Sequence, residues 1–223
     1  MPLPISAIIV AAVAVILLII PKFLKQKTYK QLSELLSNGK YDEFEELLDG
    51  FICTFSFKPF NREYMRLTSY MMQNDTDKIN MQLDNILTKF KVKGAQRRAV
   101  AERGFFFYME QKEYRKAGEM LAICKDTDNK TSELHIMELM YDILALKKST
   151  YIVEIDSRLK ELKKDPNAET DLAKKTRIGV FEYLIGLQYV YLKNQSTSQK
   201  YLKSALKHCA NTPYEQEIKA LVA

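Results

Sequence analysis

The side chains best suited to act as nucleophile, neutral-pH base or soft metal ligand are few: His135, His208, Cys53, Cys124 and Cys209. His208 and Cys209 are adjacent in a helical pattern. Successive helical residues point about 100° apart, so the pair cannot aim at one atom. Cys209 fits better as a core residue beside Leu202, Ala205 and Leu206. The three cysteines are odd in number, widely spaced and set in apolar surroundings, which suits reduced, buried thiols in a reducing compartment and neither a disulfide framework nor a zinc site. There is no Gly-x-x-x-x-Gly-Lys-[Ser/Thr], no Gly-x-Gly-x-x-Gly and no Cys-x-x-Cys, the spacings that cradle phosphates or hold redox and metal centres. Carboxylate pairs such as Glu45-Glu46 fall on solvated helix faces. The sequence predicts no active site, no cofactor and no metal.

Two other clusters have binding chemistry. Lys89, Lys91, Lys93, Arg97, Arg98 and Arg103 form the densest basic patch, with few acids among them. Such a patch suits an anionic lipid headgroup, a nucleic-acid phosphate or an acidic tail, or simply a solvated helix face. Phe105-Phe106-Phe107-Tyr108 places four aromatics around one helix, so they cannot all enter a single core stripe.

The elements that must position these residues are helices. Gly and Pro number 7 and 6 in 223 residues and Trp is absent, which leaves little for β-hairpins. Apolar residues recur at helical spacing through five pairs of segments: 27–37 and 42–52, 60–73 and 76–91, 95–111 and 113–125, 131–147 and 150–164, and 169–193 and 196–209. A closing helix follows at 213–222. Within the first pair Phe44, Leu47, Leu48 and Phe51 are expected on one face, and Gly39 supplies a left-handed turn. Asp75 or Thr76 is expected to cap the segment from 76.

Ahead of these lies the run Ile5–Leu24, uncharged as far as Pro21 and, as a helix, about 30 Å long. It predicts a single transmembrane helix within residues 1–25, followed by one domain over 26–223. Pro21 should kink or break the helix at its exit. No Lys or Arg precedes the run, whereas Lys22, Lys25, Lys27 and Lys30 follow it. By the positive-inside rule the N-terminus then lies outside and the bulk of the chain is cytoplasmic. A cleaved signal is the alternative, but Ala12-Val13-Ala14, the only small-x-small triplet, lies inside the apolar run. The net charge of +6 falls to +2 once residues 1–30 are set aside. The basic balance is thus largely juxtamembrane, and nucleic acid is not an expected partner.

Tyr41, Tyr114 and Tyr151 each stand where a first helix hands over to a second. The second and third are 37 positions apart, and the first two are 73 apart, near twice that. The stretches Gly39-Lys40-Tyr41-Asp42-Glu43-Phe44 and Lys112-Glu113-Tyr114-Arg115-Lys116-Ala117, with Gly186, Tyr189 and Ala205-Leu206 and the link Leu162–Asn167, resemble the tetratricopeptide repeats. Phe44 is larger than that pattern asks. The resemblance implies an all-α solenoid of helical hairpins whose first helices line a groove for a peptide or partner helix. Carried onto this chain, the groove residues are Arg62, Met65, Phe106, Met109, Leu139, Ile143, Tyr183, Leu187 and Tyr191. The expectation is a membrane-anchored, non-catalytic scaffold that recruits a protein or peptide at the cytoplasmic face. Its rivals are a chaperone-like repeat domain outside the membrane and a lipid- or nucleic-acid-binding module built on the basic patch.

Overall fold

A computed structural model describes residues 22–90, 92–126, 132–212 and 214–222. Its architecture follows from its turns. Gly39, Asn74, Lys112, Lys147 and Lys193 have left-handed backbone, with φ of 69°, 53°, 58°, 54° and 58°. At four of these turns the next residue's N–H reaches back five positions: Lys40 to the Leu35 carbonyl at 2.9 Å, Asp75 to Tyr70 at 3.2 Å, Glu113 to Tyr108 at 2.9 Å and Asn194 to Tyr189 at 2.9 Å. This is the Schellman ending, which satisfies the last carbonyls of a helix while reversing the chain. The residue after the reversal is already the N-cap of the next helix. Asp75 accepts from the Lys78 N–H and Asn194 from the Thr197 N–H, both at 3.1 Å, a bond worth about 1 kcal/mol.

The helices so joined are α1 (22–37), α2 (Tyr41–Asp49), α3 (Phe51–Ser56), α4 (Pro59–Met72) and α5 (Thr76–Asp84), the last continued by a π-helical turn, Asn85–Lys89. Then come α6 (Gly94–Glu110), α7 (Tyr114–Lys125), α8 (Ser132–Leu144), α9 (Ile152–Lys163), α10 (Leu172–Tyr191), α11 (Gln195–His208) and α12 (Glu215–Val222). No strand occurs among the described residues. The five expected pairs are α1–α2, α4–α5, α6–α7, α8–α9 and α10–α11, with α12 closing the chain.

Two expectations need correcting. Among the described residues no helix is long and apolar enough to cross a membrane, so the fold described is not a membrane helix followed by a repeat stack. Most of the expected span, and Pro21 with it, falls in residues 1–21, outside the described residues. From Lys22 onward the chain is already charged helix. Secondly, α2 stops at Asp49 because Gly50 is extended (φ −63°, ψ 157°). Phe51 therefore opens a separate helix, α3, and is 83% exposed instead of sharing the buried face of Phe44 and Leu48. The chain divides into two compact units, the first ending at Val100 and the second starting at Ala101.

In the first unit Leu32, Phe44, Leu48, Cys53 and Phe57 form a core cluster, with Leu35, Leu36, Leu47 and Met65 against it. Arg66 of α4 is the polar hub. It bonds Glu45 at 2.8 Å and Asp49 at 2.5 Å on α2, and Glu63 at 2.8 Å on its own helix. Glu63 in turn accepts from the buried Gln82 of α5 at 2.8 Å. Burial works against the Arg66 charge, but the bonds to Glu45 and Asp49 outweigh it and hold the guanidinium above its ordinary pKa.

The second unit is built around α10, which packs on α8, α9 and α11 and is buried continuously from Phe181 to Gln188. A helix apolar on all sides belongs at a centre. The approach of α11 is set by two glycines. A Cβ on Gly179 would stand 2.5 Å from the Cys209 sulfur and 3.1 Å from its backbone nitrogen, and one on Gly186 would stand 2.8 Å from the Leu202 side chain and 3.3 Å from its backbone nitrogen. The residue that faces Gly186 is thus Leu202, one turn before Ala205. Gly179→Val should therefore force α10 and α11 apart and cost about 1–3 kcal/mol, read as a lower midpoint in urea unfolding with an unchanged slope. An unaltered midpoint would mean the two helices are not held at this distance in solution.

Candidate functional site

Three first helices of the second unit, α6, α8 and α10, line a groove. One cavity of about 440 Å³ lies between Phe106 and Met109 of α6, Leu144 of α8 and Tyr183 of α10, with Tyr114, Tyr214 and Glu217 completing its wall. A second, also about 440 Å³, is lined by the same helices through Phe106, Met137, Met140, Phe181 and Leu184. Phe106 and Tyr214 border both. The walls are largely apolar and rich in Met and aromatic side chains, with Glu110, Lys112, Gln216 and Glu217 at the first cavity and Glu102, Glu133 and Arg177 at the second. Apolar and Met-rich surfaces accept apolar helix faces.

The polar atoms of the first cavity are placed against this apolar wall. Tyr183 is fully buried, 5.6 Å from the ring of Tyr214. Its hydroxyl makes no hydrogen bond of full geometry, though the Glu217 carboxylate is near enough to act on it as an acceptor. Burial, then Glu217, pushes the Tyr183 phenol far up, and burial pushes Tyr214 up to about 12. Both are protonated donors at neutral pH. Glu217 pairs with Lys112 at 3.2 Å. A buried hydroxyl without a full hydrogen bond is uncommon because its desolvation goes partly uncompensated, and an incoming carbonyl or carboxylate would satisfy it.

Of the nine residues expected in a groove, Phe106, Met109 and Tyr183 line this cavity. Leu139, Ile143 and Leu187 are buried in the core of the second unit. Tyr191 is half-buried and donates its hydroxyl to the Ile143 carbonyl at 3.1 Å. Arg62 and Met65 belong to the first unit, where Arg62 donates to the Thr54 hydroxyl at 3.1 Å and Met65 packs on the core. Sequence reading missed Tyr114, Tyr214 and Glu217 as cavity residues; they reach it from the start of α7, from the turn before α12 and from α12 itself. The basic patch is partly spent on structure. Arg97 donates to the Leu87 carbonyl at 3.3 Å, Arg98 and Arg103 have partners of their own, Lys89 and Lys93 are exposed, and Lys91 lies outside the described residues.

The histidine and cysteine side chains are committed elsewhere. Glu182 of α10 is 2% exposed and accepts from Lys163 of α9 at 2.7 Å and from Ser204 of α11 at 2.8 Å. It also pairs with Nδ1 of His208, likewise on α11, at 2.7 Å. Ser204 and His208 both bond this carboxylate, so the serine is not paired with the histidine as nucleophile and base. Burial pushes the Cys209 thiol up to about 11, where it is no thiolate at neutral pH. Cys53, Cys124 and Cys209 are all buried and none is in a disulfide. Among the described residues no cluster of His, Cys, Asp and Glu is placed to hold a metal.

The chain matches no known protein family, and no curated protein or solved structure is similar to it.

A polar cleft of about 690 Å³ beside α7 and α8 is lined by Arg115, Lys125, His135, Glu138, Asp142 and Tyr151 among others, and most of its charges are paired. Lys125 meets Glu138 at 2.9 Å and His135 meets Glu154 at 2.7 Å. Tyr151 donates to Asp142, which also takes Lys148 at 2.9 Å. That bond, with burial behind it, pushes Tyr151 up to about 12. Burial raises Asp142, but the bonds from Tyr151 and Lys148 outweigh it and leave the carboxyl below its usual range. A depressed Asp pKa stabilises above its unfolded value of about 4 and stops doing so as pH falls through the folded one; a raised Tyr pKa stabilises below about 10 and is lost by about 12. Tyr151→Phe is thus expected to cost about 1–2 kcal/mol at pH 7 and clearly less at pH 2–3, measured as the difference in urea unfolding from the parent chain. A difference that stays constant across that range would mean the bond is not made to a carboxylate.

Proposed function

We propose that this chain is a non-catalytic scaffold that holds a helical segment of a partner protein against α6, α8 and α10, on hairpins of the tetratricopeptide type. The left-handed turn residues support the repeat reading. They are spaced 35, 38, 35 and 46 positions apart, near the 34-residue period of that family through the first four hairpins. What carries the binding reading is the groove: largely apolar walls supplied by three successive first helices, with one buried hydroxyl left without a full hydrogen bond at its base. A partner helix bringing apolar side chains to Phe106, Met109 and Phe181 and one acceptor to Tyr183 fits it. Three buried thiols suit a reducing compartment such as the cytoplasm.

The test uses a photo-cross-linking amino acid at Phe106 in intact cells, with the same label at the exposed Val153 of α9 as control. Discrete protein adducts are expected from position 106 and not from 153. Tyr183→Phe should leave folding stability unchanged or slightly higher, since it removes a buried hydroxyl that makes no full hydrogen bond. It should also weaken capture by roughly tenfold, the worth of one bond made in dry surroundings. Adducts from 153 alone, or capture indifferent to Tyr183→Phe, would remove the groove from the binding surface.

A further inference from the structure

The first unit carries an aromatic surface independent of that groove. On α3, Cys53 faces the core, as does Phe57 just beyond its end, yet Phe51, Ile52 and Phe55 are 83%, 47% and 74% exposed. The three fall within about a quarter of the helix circumference, at positions i, i+1 and i+4, and the two phenyl rings stack at 6.3 Å. Single exposed apolar residues are ordinary, but a cluster of aromatics rimmed by charge marks a contact surface.

Lysines gather at one end of it. Lys25 at the start of α1 lies over the Phe57 ring, 5.7 Å from its centroid, so the beginning of α1 and the end of α3 share one end of this unit. That end carries exposed Lys22, Lys25, Lys27 and Lys58, together with exposed Phe23 and Leu24. Neither α3 nor residues 22–30 contains Asp or Glu; the exposed acids closest in sequence before α3 are Glu46 and Asp49, the latter paired with Arg66 at 2.5 Å. It is also the end at which the chain arrives from the uncharged run Ile5–Ile20. Aromatic and aliphatic side chains beside lysines, with no acid within α3 or residues 22–30, match the interfacial zone of an anionic lipid layer, where rings enter the headgroup boundary and ammonium groups meet phosphate. A protein partner for such a face would be expected to draw complementary carboxylates and hydrogen bonds, and α3 offers few polar groups on that side.

We infer that the α3 face Phe51, Ile52 and Phe55, with the lysines at its end, rests in the headgroup region of an anionic lipid surface.

The chain has no tryptophan, so Phe55→Trp makes a single reporter in the full chain, and Val153→Trp makes a control on α9. Each is combined with vesicles of phosphatidylcholine alone, or of phosphatidylcholine with one-third phosphatidylglycerol, with and without bromine on the acyl chains. The expected result is a blue shift at position 55, larger with phosphatidylglycerol, and a loss of about half the emission to brominated lipid, as for a side chain sunk roughly 5–10 Å into the interface. Position 153 should not respond. Emission at 55 that stays solvent-like while the chain sediments with vesicles would overturn the inference, as would an equal response at 153. So would emission already blue before lipid is added, which would assign the face to another part of the chain or to a second copy.

Discussion

Four of the five helical hairpins described depend on a reversal completed in three residues. A left-handed residue ends one helix, and at four of the five turns its neighbour, having bonded back five positions, starts the next. So short a link leaves the second helix nowhere to go but antiparallel against the first. Apolar stripes at helical spacing then meet without long-range pairing. Gly39 meets the backbone requirement without strain, whereas lysine does so at Lys112, Lys147 and Lys193 against a cost of about 1 kcal/mol each. That three lysines are held there shows how strongly the flanking helices determine the turn.

Within each unit one charge largely withdrawn from water ties neighbouring helices together. Arg66 is met by Glu45, Asp49 and Glu63, joining α2 and α4 and, through Gln82, α5. Glu182 is met by Lys163, Ser204 and His208, joining α9, α10 and α11. The two hubs are opposite in sign and similar in logic, an ion taken from water and repaid with several well-aligned partners. Such clusters add little net stability over an apolar core, but losing one partner leaves an uncompensated charge at a cost of about 3–5 kcal/mol. They fix which helix lies against which. The same commitment explains why residues that look reactive in the sequence are quiet: His208 is bonded to Glu182, and the Cys209 thiol is buried and protonated.

Much of the helical layout was legible in the sequence because its signals are local. Helical spacing and the turn at Asn38-Gly39 placed α1 and α2, and Asp75 announced the cap of α5. The break at Gly50 was missed because Phe51 completed an apolar stripe that reads equally well as a continuing helix. Only the extended Gly50 backbone shows that the chain turns there. Glu182 was the signal left unread, a lone carboxylate in the apolar run Val180–Ile185, where burial demands partners. In the groove, Phe106, Met109 and Tyr183 were reached through the first-helix pattern. Leu139, Ile143 and Leu187 met the same pattern but point into the core. Tyr214 and Glu217 enter from the far end of the second unit's chain, a distance in sequence that no local pattern spans.

The account makes a protein-binding surface of the side-by-side first helices of the second unit, with the second helices as their support. Hydrogen–deuterium exchange of the full chain, alone and with the partner recovered by the Phe106 cross-link, tests that division most directly. The account predicts added protection in α6, α8 and α10 and around Tyr214–Glu217, with α7, α9 and α11 unchanged. Protection concentrated in α7, α9 or α11 would contradict it.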